Sequence, residues 1–181
     1  AKTVTVEELL TGKTSVIPYD KLVLAMGSSP NRPPIPGIEL AGIGPATNLD
    51  EAEAIKNSVA AGGVNNAVVV GGGFIGLELA VALGDMWGIP TAVVEIADHI
   101  LPGFLSPTLA RMATKDLEDN GVGVHAQEKV LRFEGENGKV SKVITDKREL
   151  PADIVVMAAG VRPNTELAKA AGLNLTDHGL I

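Results

Sequence analysis

Three glycines and one acid carry the clearest chemistry in the sequence. Gly71, Gly73 and Gly76 stand in the spacing Gly-x-Gly-x-x-Gly directly after the apolar run Val68-Val69-Val70. Each glycine has a mechanical job in such a motif. The first permits a tight strand-to-helix turn, the second lets a pyrophosphate approach bare backbone, and the third lets the helix pack against the strand. The exposed amides and dipole of the helix start then favour an anion. The motif alone is weak, but here a strand precedes it, a helix follows, and an acid, Glu95, ends the next strand. At that distance a carboxylate can accept hydrogen bonds from the hydroxyls of an adenosine ribose. The pattern therefore points to a dinucleotide site, against the plainer readings of an ordinary βα turn and a solvated strand-end acid.

Glu95 also bears on which nucleotide is taken. A 2′-phosphate calls for a cation near this strand end, whereas the chain continues Ile96-Ala97-Asp98-His99 and has no Arg or Lys until Arg111. A carboxylate beside a phosphate dianion is repulsive, so NAD is favoured over NADP. Glu78, on the apolar stretch Phe74–Ala82, is either an acid on an exposed helix face or a buried acid that needs a partner. His99, His125 and His178 have no mutual spacing that suggests a metal, and Ser28-Ser29 lack the Gly-x-Ser-x-Gly elbow of a hydrolase nucleophile. No residue is assigned a catalytic or metal-binding role.

The elements that position the motif follow from local signals. Thr3–Val6 alternates like a strand, and Leu22–Ala25 is a continuous apolar run suited to a strand buried on both faces. Residues 28–45 carry Pro30, Pro33, Pro34, Pro36 and Pro45, which predicts a stiff connector and the best domain boundary. Asn48 with Glu51 reads as an N-cap and capping-box partner of a helix through Ala52, Ile55 and Val59. The glycine turn leads into a helix over about 74–87, and Thr91–Glu95 is the next strand. Ser106-Pro107 starts another helix with Leu109, Met112, Ala113 and Leu117 on one face. Residues 122–150 read as short antiparallel strands with a hairpin at Asn137-Gly138, and Ile154–Ala158 is again a buried strand. The fold class is therefore α/β, a Rossmann-type parallel sheet with an antiparallel β-meander insertion.

Composition agrees. The 181 residues are 45% hydrophobic and 20% charged, with only 3% aromatics, so the core is built from Val, Ile, Leu and Ala. A net charge of −7 argues against nucleic acid or an anionic membrane as partner. The chain has no cysteine, which removes disulfides, thiolate metal sites and a cysteine nucleophile from its own repertoire and suits a cytoplasmic setting. No apolar run approaches the roughly 18 residues of a membrane span. The start at Ala1-Lys2-Thr3-Val4 reads as if cut from something longer.

At four segments the chain resembles the FAD-dependent pyridine nucleotide–disulfide oxidoreductases, most closely the branch with NADH oxidase, NADH peroxidase and coenzyme A–disulfide reductase. They are residues 19–28 ending in Ala25-Met26-Gly27-Ser28, then Pro33-Pro34-Ile35-Pro36-Gly37, then Val68–Glu78, and finally Ala152–Thr165. The resemblance implies that 1–45 ends the first half of an FAD domain, 46–160 is the NAD-binding domain, and 161–181 begins the return to the FAD domain. It implies that Gly71, Gly73, Phe74, Ile75 and Gly76 wrap the NAD pyrophosphate, Glu95 holds the ribose, and Phe104 lies near the adenine. Gly160 would approach the nicotinamide side, Glu78 would face the flavin–nicotinamide junction, and Gly27 would lie near the FAD. The family often carries threonine where Met26 and Ala159 stand, which leaves those places a backbone role.

The family's first FAD motif and redox cysteine are not among these residues. The expectation is thus an NADH-binding portion of a homodimeric flavoenzyme, passing hydride from NADH to FAD and on to a disulfide, peroxide or oxygen, with this chain alone inactive. A ferredoxin- or rubredoxin-type reductase, or the flavin part of a nitrite reductase, shares every motif seen here. A stand-alone nucleotide-binding module is the alternative of another class.

Overall fold

A computed structural model describes residues 2–177. His178 lies outside the described residues. These divide into two compact units, one of residues 2–28 with 163–177 and one of residues 29–162.

In the first unit, β1 (Thr3–Glu7) pairs antiparallel with β2 (Thr14–Pro18), as the alternation of Thr3–Val6 predicts. Gly12, at φ 69, serves the turn between them. Leu22–Ala25, expected as a buried strand, is irregular, and Val23 is 86% exposed. A strand buried on both faces needs a neighbour on each side, and among the described residues none pairs with this run.

The chain then runs through β3 (Ser28–Pro30), β4 (Ile43–Gly44), α1 (Leu49–Ala60), β5 (Ala67–Val70), α2 (Phe74–Val81), β6 (Thr91–Val94) and α3 (Pro107–Asp119). It continues through β7 (Val122–His125), β8 (Val130–Glu136), β9 (Lys139–Thr145), β10 (Glu149–Pro151), β11 (Ile154–Met157) and β12 (Val161–Pro163), and α4 (Glu166–Ala170) follows. Five strands form a parallel sheet in the order β4-β11-β5-β6-β7, a Rossmann-type arrangement. Three more, β10-β9-β8, form an antiparallel sheet, and β12 pairs with β3.

Successive strand residues point to opposite faces, and both faces are covered. Val69, Val93 and Val156 pack towards the helices with Leu77, Ala80 and Leu117. Val68, Val94 and Val155 pack towards Phe133, Val140 and Val143 of the antiparallel sheet. The parallel sheet thus lies between a helical layer and a second sheet, which is why its strands read as unbroken apolar runs.

Several local expectations need correction. Residues 122–125 are not part of the antiparallel meander. They form the parallel edge strand β7, because α3 is a crossover that returns the chain beside β6. On α3 the buried residues are Ala110 and Leu117, while Leu109 and Met112 are exposed. Close packing favours the small Ala110 over its larger neighbours. Asn48 does cap α1, accepting from Glu51 N–H at 3.0 Å, but Glu51 reaches back to Thr47 N–H at 2.7 Å. The α2 helix runs on through a wider, π-helical turn at Ala82–Met86. The hairpin at Asn137-Gly138 forms as expected, with positive φ at both residues, 51 and 79. No helix among the described residues is long and apolar enough to cross a membrane.

Candidate functional site

The three motif glycines are glycines for different reasons. Gly71 has φ 116 and donates its N–H to the Val94 carbonyl at 2.8 Å. A Cβ there would collide with the Ala158 carbonyl at the end of β11. A Cβ on Gly76 would collide with the Gly71 carbonyl and stand 3.2 Å from Ala158 Cβ. The protein's own packing therefore demands both. Gly73 is different. Its backbone (φ −82, ψ 180) suits any residue, and a Cβ there would meet nothing within 4 Å. It precedes α2 without a side-chain cap, so the bare helix start opens onto empty space.

That space is a cleft of about 670 Å³ along the carboxyl ends of the parallel strands. Gly71, Gly73, Phe74, Glu95, Phe104 and Gly160 all line it. Phe74 and Phe104, 56% and 68% exposed, meet edge to face with ring centroids 4.8 Å apart. A smaller depression of about 210 Å³ is lined by Ile75 and Gly76 together with Gly73 and Gly160. Gly160 has φ 82, and its loop is held by Asn31, whose side-chain amide donates to the Ala159 carbonyl at 3.1 Å.

Glu95 is not a solvated acid. It is 7% exposed, accepts from Gly72 N–H at 2.6 Å on one oxygen and from Ala97 N–H at 2.8 Å on the other. It thereby locks the glycine turn to the loop after β6. A carboxylate oxygen has two acceptor positions, so each can still receive a hydroxyl. Glu78 is exposed on α2 and lines neither space, which settles its two readings in favour of the open helix face. Gly27 belongs to the first unit, at φ 67, with its carbonyl accepting from Asn164 N–H at 3.0 Å.

No sequence motif announces the other cleft residues. Pro33, Pro34 and Ile35 come from the proline-rich segment, and Glu128, Lys129 and Val130 from the connection after β7. Lys129 brings a cation to the wall from beyond Arg111, a placement that no spacing near Glu95 announces. Glu128 accepts from the Thr145 hydroxyl at 2.6 Å and pairs with Arg148 at 3.0 Å. Nearby, burial and then the Arg148 charge push His125 below its usual value, with Glu128 and Glu118 opposing. Among the described residues no group of His, Cys, Asp and Glu could hold a metal ion.

A sequence profile described as pyridine nucleotide-disulphide oxidoreductase matches residues 1–181. An NADH oxidase of Enterococcus faecalis is 43% identical over 169 residues, which are 93% of this chain and 37% of that protein. A crystal structure of an FAD-dependent pyridine nucleotide-disulphide oxidoreductase from Desulfovibrio vulgaris is 61% identical, with TM-score 0.87, over 99% of this chain and 45% of that one. A water-forming NADH oxidase from Lactobacillus brevis, solved bound to NADH, is 29% identical with TM-score 0.88, over 98% of this chain and 38% of that one. The chain thus spans less than half the length of each of these proteins.

Proposed function

Since the chain belongs to the pyridine nucleotide-disulphide oxidoreductase family, we propose that its cleft binds NAD(H) for a flavin-dependent oxidoreductase. In this reading residues 46–160 are the NAD-binding domain, and 1–45 and 161–181 are parts of the FAD domain. The observation that carries the nucleotide assignment is Gly73. Packing explains Gly71 and Gly76, whereas nothing in the protein requires Gly73 to lack a side chain. A ligand lying against its backbone does.

The cleft residues fit the parts of a dinucleotide. Backbone N–H groups at the start of α2 face the pyrophosphate, aided by the helix dipole. Glu95, already oriented by Gly72 and Ala97, accepts from the ribose hydroxyls and disfavours a 2′-phosphate. Phe74 and Phe104 supply apolar surface beside it. Gly160, with no side chain and a loop anchored by Asn31, leaves room at the nicotinamide end. When both cofactors are present, the nicotinamide supplies a hydride that the flavin accepts, and the protein's part is to align the rings and exclude competing reactions. The terminal acceptor in the whole protein would be a disulfide, peroxide or oxygen, and the whole protein a homodimer. This chain has no cysteine and one Gly-x-Gly-x-x-Gly motif, so by itself it binds nucleotide without turnover.

The test is calorimetric titration of the chain and of Gly73→Val with NADH and NADPH. The chain should prefer NADH. Gly73→Val should lose NADH binding by roughly a hundredfold or more, the weight of one occluded phosphate contact set, while its thermal unfolding midpoint stays put. Equal NADH affinity in the variant would return the glycine loop to a structural turn.

A further inference from the structure

Along the chain Glu95 has no cation close to it, but in space it has one. Glu128 N–H donates to the Glu95 carbonyl at 3.0 Å and Gln127 N–H to the Ala97 carbonyl at 2.7 Å. The backbone after β7 therefore runs beside the end of β6, and Lys129 follows, exposed on the wall of the same cleft. Its backbone is fixed. The N–H donates to an Asp146 carboxylate oxygen at 2.9 Å, and the carbonyl accepts from Asp146 N–H at 3.0 Å. Its ammonium, in contrast, has no hydrogen bond or ion pair among the described residues.

The neighbouring charges are already committed. Arg148 pairs with Glu128 at 3.0 Å, and Glu95 accepts from the Gly72 and Ala97 N–H groups through its two oxygens. Among the described residues that line the cleft, Lys129 is the only cation. A lysine is a mobile point charge on a stem that reaches about 6 Å, and consecutive Cα atoms lie about 3.8 Å apart. From its place one residue beyond Glu128, the ammonium can reach the space outside Glu95, where the ribose hydroxyls of a bound nucleotide lie. We infer that Lys129 pairs with the 2′-phosphate of NADPH and so sets how far the cleft discriminates between the two nucleotides. Glu95 repels that phosphate and Lys129 attracts it, which makes the preference for NADH graded rather than absolute. Lys129 is then a specificity-determining residue, and this role rests on the NAD(H) reading above.

The experiment is calorimetric titration of the chain and of Lys129→Gln, Lys129→Glu and Lys129→Arg with NADH and NADPH at one low ionic strength. The unmodified chain should bind NADPH measurably, though more weakly than NADH. Lys129→Gln should weaken NADPH roughly fivefold and NADH by less than about twofold, the weight of one exposed charge on a phosphate dianion. Lys129→Glu should widen the ratio further, and Lys129→Arg should keep it. A general attraction for the pyrophosphate, or a merely structural role, would weaken both nucleotides alike and leave their ratio unchanged. An unchanged ratio in Lys129→Gln, or NADPH binding too weak to detect in the unmodified chain, overturns the assignment. Failure of the unmodified chain to bind NADH at all instead overturns the underlying nucleotide reading.

Discussion

Val68-Val69-Val70 and Leu22-Val23-Leu24-Ala25 are nearly the same sequence object, an unbroken apolar run closed by a glycine within two residues. Their fates differ completely. The first is the central strand β5, hydrogen-bonded to β11 on one side and β6 on the other, with Val69 at 0% exposure. The second is irregular, with Leu22 and Val23 exposed. An apolar run states a capacity to be buried on two faces. Whether it becomes a strand depends on neighbours that its own residues do not supply.

The contrast is broken most severely by placing a charge in each run. Val69→Asp buries an unpaired carboxylate and should unfold the chain or cost at least about 4 kcal/mol, whereas Val23→Asp should change stability by less than about 0.5 kcal/mol. Urea unfolding of both variants decides it, and comparable losses would mean that the Leu22 run is buried in solution. The glycines that close the runs give the next largest effect. Gly71→Ala meets the Ala158 carbonyl and an unfavourable φ, and should cost on the order of 3 kcal/mol. Gly27→Ala has the positive φ but open space, and should cost about 1–2 kcal/mol. Thermal unfolding should therefore rank Gly71→Ala clearly below Gly27→Ala.

The smallest effect sharpens the picture at the edge of the sheet. His125, on β7, takes up a proton less readily when folded than its usual 6.5, mainly because of burial. Below that value the unfolded chain binds the proton first, so this group's contribution to stability is full above about pH 6.5 and declines as the pH falls towards the lowered folded value. The drop in urea midpoint between about pH 7.5 and about pH 5.5 should shrink slightly in His125→Asn. An identical drop in both proteins would assign the acid sensitivity to other groups.

How much was legible in the sequence follows from the range over which each feature is determined. The strand–glycine–helix unit at 67–81, the Asn48 and Ser106 caps and the Asn137-Gly138 hairpin are set by neighbours within a few residues, and they read out directly. The face of α3 did not, because the choice between Ala110 and Leu109 depends on how closely the helix approaches the sheet. Nor did the strand at 122–125, whose alternation is compatible with either kind of pairing. In the cleft, Glu95 was legible through its fixed distance from the glycines. Glu128 was not, since no motif places it and it joins Glu95 only through a backbone hydrogen bond across 33 positions of chain.

The sequence by itself determined the backbone chemistry of the site: a glycine turn, a helix start and an acid at the next strand end. Those are consequences of steric freedom and spacing, which are written residue by residue. The packed structure decided which glycine is left open, because the Ala158 carbonyl blocks a side chain at Gly71 and the Gly71 carbonyl blocks one at Gly76, while nothing stands near Gly73. It also decided that Glu95 is locked rather than solvated, and that Pro33, Lys129 and Glu128 share its cleft. Burial and proximity are properties of the packed chain, and segments far apart in sequence acquire them only when the sheet assembles.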